Sequence, residues 1–167
     1  DGKGGSVLAN NVDAQQLAQQ NTYRKEILQG MNQTSVLTKA QFDGNDIKSK
    51  LFSETNFQGD EGGEKVDFIR QYGSKGLDSS LPENNVKRTT VYYYGPDEIR
   101  AGTAAENFGF SRQKTYKGTN ENIAHLDPNK LLTDTRFSGD ENEEKSYFSE
   151  TLRNGTVRQT TIYFYLK

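Results

Sequence analysis

The sequence predicts an α+β protein, with a long N-terminal helix packed on antiparallel β-sheet that contains an internally repeated hairpin unit. Three observations support this fold class. Residues 7–32 are rich in Gln, Ala and Leu and contain no proline, which favours a helix. Short runs of β-branched and aromatic residues then alternate with clusters of Gly, Asn and Asp, which is typical of strands and turns. Finally, two segments of the chain resemble each other without gaps.

Composition limits the classes of protein that this chain can represent. Its 167 residues fit one domain, which we expect over residues 7–167 after a flexible leader at 1–6. Only 31% of residues are apolar, although nine Tyr and nine Phe can fill a core. A net charge of -2 argues against an electrostatic nucleic-acid binder. Because there is no cysteine, disulfides, Cys-ligated zinc and thiol catalysis are excluded.

The predicted helix, residues 7–32, carries a patchy apolar stripe. Leu17, Leu28 and Met31 recur at helical spacing, and Asn21 and Arg24 interrupt the stripe. We expect this helix to pack on the sheet, although an ordinary surface helix would show the same pattern.

Five strands are predicted after residue 40, at 66–72, 86–94, 108–116, 146–152 and 157–166. The dipeptide Asn154-Gly155 between the last two predicts a two-residue hairpin turn. Long loops are predicted at 73–85 and 117–130.

The internal repeat is the strongest pattern in the sequence. Residues 51–68 align with 131–148 at an offset of 80 with nine of eighteen positions identical, and 86–94 align with 157–165 at an offset of 71. Each copy, about 51–94 and 131–166, is predicted as loop, strand, connection and strand. Two similar hairpins in one larger sheet, or two stacked sheets, would explain the pattern; convergent β composition is the alternative.

The alternation of the predicted strands also predicts which side chains are mostly buried. They are Phe57, Phe68, Val91, Tyr93, Phe137, Phe148, Ile162, Phe164 and Leu166.

The repeated acidic turns are the only candidate metal site. Carboxylates there could hold calcium through oxygen ligands, although solvated turn residues would look the same and a full calcium-loop spacing is lacking. The candidates are Asp60, Glu61, Glu64, Asp140, Glu141 and Glu144, with Asp43-Gly44-Asn45-Asp46 as a third oxygen-rich turn. We therefore expect no cofactor, with calcium as the alternative.

Enzymatic chemistry is not expected. His125, the single histidine, lies in a predicted loop, and no Gly-x-Ser-x-Gly motif supplies a nucleophile for it. The tyrosine pairs Tyr92/Tyr94 and Tyr163/Tyr165 could instead form an aromatic binding surface or be buried.

The predicted helix, the strand Val66–Gln71 and the strand Asn85–Tyr94 together resemble the minor pilins of type IV pili and the minor pseudopilins of type II secretion systems. The resemblance implies a non-catalytic structural subunit at the bacterial cell surface or in the periplasm. Its partners would be other pilin or pseudopilin subunits, and its N-terminal helix would carry the assembly interface at Leu8, Val12 and Leu17. Membrane anchoring would need a hydrophobic N-terminal segment that this chain lacks, and the internal repeat is not a general pilin feature.

A surface-exposed, β-rich adhesin or a ligand-binding lipoprotein domain is the alternative. Tyr94-Gly95-Pro96 followed by Ala104-Ala105-Glu106 is loosely similar to segments of transferrin-binding-type lipoproteins.

Overall fold

The computed structural model describes residues 17–24, 48–119 and 122–166, in which eight strands form one antiparallel sheet. Each strand pairs with the strands next to it in the sequence, so the spatial order is the chain order. The strands are β1 Gln19–Tyr23, β2 Leu51–Gln58, β3 Lys65–Tyr72, β4 Val86–Tyr94, β5 Phe110–Lys117, β6 Leu131–Ser138, β7 Lys145–Arg153 and β8 Thr156–Ile162. Short 3-10 turns lie at Pro82–Asn85, Ala101–Thr103, Ile123–His125 and Pro128–Lys130.

The α+β prediction is wrong, because the described residues contain no helix of seven or more residues. Gln19–Tyr23, in the middle of the predicted helix, is strand β1 and pairs antiparallel with β2. Propensity alone is weak here, because Asn, Thr and Tyr are poor helix formers and β2 offers a ladder of hydrogen bonds. Leu17, Ala18 and Arg24 are not helical either, and residues 7–16 and 25–32 of the predicted helix lie outside the described residues. No helix in the described ranges is long and apolar enough to cross a membrane.

Strand prediction succeeds where β-branched and aromatic residues cluster. The prediction for β4 has the observed bounds, and those for β3, β5 and β7 differ by one or two residues at an end. The last predicted strand, 157–166, runs instead from Thr156 to Ile162. Strands β2 and β6 were predicted as loop, because Ser, Glu, Asn and Asp are not typical of strands. These residues form strands because each segment pairs with a neighbouring strand on both sides.

The predicted Asn154-Gly155 hairpin turn is confirmed. Arg153 pairs with Thr156 across it, and the turn residues have φ of 51° and 71°. Positive φ at both central positions is the geometry that lets a two-residue turn match the twist of its strands.

The sheet is a single layer, since no second layer of strands or long helix covers it within the described ranges. Long basic side chains lie along its surface instead: the Arg70 guanidinium is 4.8 Å from the Phe68 ring centroid, and the Lys114 ammonium is 5.4 Å from that of Tyr93. At these distances the cations make cation–π contacts with the rings and cover part of their surface. The buried apolar residues are few: Leu51, Tyr72, Val86, Val91, Tyr94, Ala101 and Tyr116.

The core prediction is confirmed at Val91, which is fully buried, and is wrong at the C-terminal end. Ile162, Phe164 and Leu166 are 60%, 89% and 103% exposed. Alternation shows which side chains share a face, but it does not supply the neighbour that covers them. The remaining five predicted core residues are half-buried: Phe57, Phe68, Tyr93, Phe137 and Phe148.

Side chains directly opposite one another share a face, so the register divides the sheet into two chemically different faces. One face carries a row of threonines, Thr90, Thr115, Thr133 and Thr151, on the successive strands β4 to β7. The hydroxyls of Thr90 and Thr115 are 3.1 Å apart. The opposite face, which we call the ionic face, carries Val91, Lys114, Asp134 and Glu150 at the adjacent aligned positions.

Candidate assembly interface

The repeated segments 51–72 and 131–153 form the same hairpin. Gln58 lies opposite Lys65 in the first copy, as Ser138 lies opposite Lys145 in the second. Both hairpins have a register shift at the equivalent position, between Asn56 and Phe57 and between Arg136 and Phe137. The sequence repeat therefore corresponds to a repeat of pairing as well as of composition.

The next strand extends the repeat at an offset of 71. Val91 of β4 lies opposite Phe68, and Ile162 of β8 lies opposite Phe148. The register shifts fall at equivalent places, beside Tyr72 and beside Leu152.

The strand before each hairpin also repeats, which the sequence analysis missed. Residues 20–23, Gln-Asn-Thr-Tyr, correspond to residues 113–116, Gln-Lys-Thr-Tyr. Thr22 lies opposite Ser53, as Thr115 lies opposite Thr133, and in both strands a register shift follows that threonine. The repeat is therefore four strands long. We call β1–β4 the first unit and β5–β8 the second unit.

Equivalent side chains make equivalent bonds in the two units. A carboxylate oxygen of Glu64 accepts the Leu17 N–H at 2.9 Å, and one of Glu144 accepts the Phe110 N–H at 3.1 Å. Each glutamate thus fixes the start of the first strand of its unit. The Leu17 N–H is also the main reason why the pKa of Glu64 is lowered, because it favours the ionised carboxylate.

A tyrosine anchors the fourth strand of each unit to the third. The Tyr94 hydroxyl donates to the Val66 carbonyl at 2.7 Å, and the Tyr165 hydroxyl donates to the Ser146 carbonyl at 2.7 Å. A lysine ammonium lies near each ring: Lys65 is 5.3 Å from the Tyr94 centroid, and the equivalent lysine of the second unit is 5.7 Å from that of Tyr165.

The junction between the units is the pairing of β4 with β5. Thr90 lies opposite Thr115, and Val91 lies opposite Lys114. At one end of this junction the Lys65 ammonium of the first unit lies 2.8 Å from a carboxylate oxygen of Glu141 in the second. The sheet thus continues from one unit to the next through a strand ladder and an ion pair.

Strand β8 is the fourth strand of the second unit, as β4 is of the first. Strand β4 pairs with β5 on its far side, whereas no described strand pairs with β8 on that side. Val91 is 0% exposed and its equivalent Ile162 is 60% exposed; Tyr94 is 6% exposed and its equivalent Tyr165 is 54% exposed. Among the described strands, β8 pairs only with β7 and β1 only with β2. Within the described ranges, the sheet therefore ends in two unlike edge strands, and β8 exposes two apolar side chains, Val157 and Ile162, among five polar ones.

The ionic face carries a cluster that joins the second unit to the connection between β4 and β5. The Arg112 guanidinium binds Asp134, which is 7% exposed, and also Glu98. These carboxylates raise the pKa of Arg112, Asp134 most strongly, whereas burial lowers the pKa of neighbouring Lys114. A guanidinium paired in this way organises the sheet and supplies no group that transfers protons near neutral pH.

Three of the six acidic residues predicted for calcium bind other groups of the protein, whereas Asp60, Glu61 and Asp140 are exposed. Glu64 and Glu144 accept main-chain N–H groups, and Glu141 binds Lys65. Within the described ranges, no group of three or more His, Asp or Glu side chains is arranged to hold a metal ion. The third turn, 43–46, lies outside the described residues, and calcium binding stays a prediction.

The other predicted site residues are dispersed. Leu17 is 49% exposed beside β1, while Leu8 and Val12 lie outside the described residues. His125 is exposed in a 3-10 turn. The four tyrosines do not form one surface. Tyr92 is half-buried and Tyr94 is buried, whereas Tyr163 and Tyr165 are exposed at the far edge of the sheet.

A cleft at the end of the sheet that holds the β7–β8 turn is basic. Its lining includes Lys87, Lys117, Lys130, Arg153 and Arg158. The carboxylate of Glu83 also lines it and neutralises part of this charge by binding Lys130 at 2.8 Å.

Comparisons of this chain with protein-family models, with curated proteins and with solved structures found no match.

Proposed function

We propose that this chain is a non-catalytic structural protein that builds extended β-sheet by adding four-stranded units side by side. The observation that carries the proposal is the junction of β4 with β5, where one unit continues into the next through an antiparallel ladder that is regular from Arg88 to Tyr93. Repeat proteins gain stability in this way, because each unit buries surface only against its neighbours.

The expected role in a pilus or pseudopilus at the bacterial cell surface remains a prediction. Gln19–Tyr23 is a strand, so these residues do not form part of an N-terminal assembly helix. We therefore assign assembly to the edges of the sheet, where strand addition supplies main-chain hydrogen bonds.

Sedimentation velocity over a wide range of protein concentration tests this role. We expect larger species to appear as concentration rises, with an unchanged amide I band showing that the strands persist. As a control, Ile162→Lys places a charge on the β8 edge, and it should keep the chain monomeric. A wild-type chain that stays monomeric at every concentration would contradict the proposal.

The basic cleft supports a second candidate function, the binding of an anionic ligand, which corresponds to the adhesin or ligand-binding alternative. Calorimetric titration with a sulfated polysaccharide tests it. Arg153→Glu in the cleft should weaken binding, whereas Lys75→Glu, exposed and outside the cleft, should not. Equal losses for the two variants would indicate a nonspecific charge effect.

A further inference from the structure

We propose that the free edge of β8 binds β1 of a second copy of this chain in the register that joins β4 to β5. The inference rests on the proposed structural function and names its partner. Carrying the β4–β5 register over to the equivalent residues places Thr161 opposite Thr22, Ile162 opposite Asn21 and Tyr163 opposite Gln20.

The two free edges match because of the repeat. The strand that covers β4 inside the chain is β5, and β1 is its equivalent, with the same Gln, Thr and Tyr at three of four aligned positions. The strand that needs cover is β8, the equivalent of β4. Each copy therefore carries at its two edges the two halves of a junction that it already forms internally.

The apolar side chains exposed on β8 are equivalent to side chains that are buried on β4. Ile162 is 60% exposed where Val91 is 0% exposed. A strand paired with β8 would lie beside Ile162 as β5, through Lys114, lies beside Val91. An exposed edge strand is a template for pairing with another chain, and Val157 and Ile162 add exposed apolar side chains to this one.

Charge also fits this partner. Inside the chain, Lys65 of one unit binds Glu141 of the next at 2.8 Å. The equivalent groups across the proposed contact are Lys145 of one copy and Glu61 of the other, and both are exposed. The contact would pair them, as the internal junction pairs Lys65 with Glu141.

This contact is heterologous, because β8 of one copy meets β1 of another, and the pair keeps one free edge of each kind. Such contacts extend into open chains of subunits unless the rotation closes a ring. A symmetric pairing of two β8 edges would instead stop at a dimer.

Disulfide trapping tests the pairing, and the chain offers a clean background because it contains no cysteine. We would mix a Thr22→Cys chain with a Thr161→Cys chain that carries a size tag, under a glutathione redox buffer. Thr22 and Thr161 correspond to Thr115 and Thr90, whose hydroxyls are 3.1 Å apart, so the two cysteines fall within disulfide reach. The matched control pairs Asn21→Cys with Thr161→Cys, whose side chains would point to opposite faces.

We expect the mixed disulfide to form about tenfold faster with Thr22→Cys than with Asn21→Cys, because a disulfide needs converging Cβ atoms. Sedimentation of the reduced wild-type chain is run in parallel. Three outcomes would overturn this register if the wild-type chain still assembles: equal trapping rates for the two pairs, no trapping, or disulfides that form in Thr161→Cys alone. The proposed structural function would not be affected by them. A monomeric wild-type chain without trapping would overturn both.

Discussion

The Lys65 ammonium lies 2.8 Å from a carboxylate oxygen of Glu141, and this ion pair bridges the two four-stranded units. The same ammonium donates to the Glu106 carbonyl at 2.8 Å and lies 5.3 Å from the centre of the Tyr94 ring. Although it carries a charge, Lys65 is only 7% exposed. A buried charge is tolerated when it is paired and hydrogen-bonded, and Lys65 meets both conditions.

Replacing Lys65 by alanine should therefore lower the free energy of unfolding by about 2 kcal/mol, since a charge-assisted hydrogen bond and a cation–π contact are lost. The measurement is urea denaturation followed by circular dichroism. The matched control is Lys145→Ala, which removes the exposed equivalent and should cost less than about 0.5 kcal/mol in a dilute sample. Equal losses would show that burial at the junction has no special effect.

Asp134→Asn should also destabilise the protein, by about 2 kcal/mol, because it removes the carboxylate that binds the Arg112 guanidinium through two oxygens. Asp140→Asn, in an exposed turn, serves as the control and should change stability by less than about 0.5 kcal/mol. Thermal unfolding distinguishes the two. If the variants melt together, the cluster does not stabilise the sheet.

Gly155→Ala should destabilise the β7–β8 turn by about 1 kcal/mol, because φ at this position is 71° and L side chains rarely adopt it. Gly102→Ala provides the comparison: its added Cβ would meet its nearest atom at an ordinary 3.6 Å. Denaturant midpoints of the two variants, measured side by side, check the difference. A larger loss at Gly102 would contradict the backbone explanation.

Alkaline pH should unfold the protein by ionising buried tyrosines. Burial raises the pKa of Tyr116 to about 12, against about 10 for a free phenol. Because the folded value is the higher one, Tyr116 contributes stability that is complete below pH 10 and is lost as pH rises through about 12. Tyrosinate absorbance recorded together with circular dichroism checks this. Tyr116→Phe should flatten the alkaline loss of stability, and an unchanged slope would exclude Tyr116 as its source.

Acid should release the start of β1 through Glu64. The Leu17 N–H lowers the pKa of this carboxyl, so the bond is complete above the ordinary value of about 4.3 and is lost as pH falls through the lower folded value. An NMR titration should show the Leu17 amide shifting with the same midpoint as the Glu64 carboxyl. A midpoint at or above the ordinary value would refute this explanation.

Strand β4 could be predicted from sequence because its burial and its composition agree. Its Thr-Thr-Val-Tyr-Tyr-Tyr run favours a pleated surface, and neighbours on both sides complete it. β1 could not, because its polar residues acquire strand structure only from pairing with β2. For the same reason the helix predicted across Gln19–Tyr23 was wrong.

The candidate interface could be predicted only in part. The Phe-x-Gly-Asp-Glu turn and the Thr-Thr-aromatic strand reveal repeated segments that hold three of the four strands of each unit, although β2 and β6 were predicted as loop. The fourth, β1 and its equivalent β5, shares too few residues to stand out, and only the equivalent registers reveal it. The alternation of the predicted strand 157–166 also could not predict that Phe164 is 89% exposed. Exposure depends on a neighbouring strand, which periodicity does not specify.

The meander order of the strands has a mechanical consequence. Since every described strand pairs only with its neighbours in sequence, β1 or β8 can detach without disturbing the strand on the far side of the sheet. Under a pulling force the edges would detach one strand at a time, and β8, which is joined to β7 by only Asn154 and Gly155, could pair again without closing a long loop. Such a sheet would lengthen in small steps and recover quickly after release.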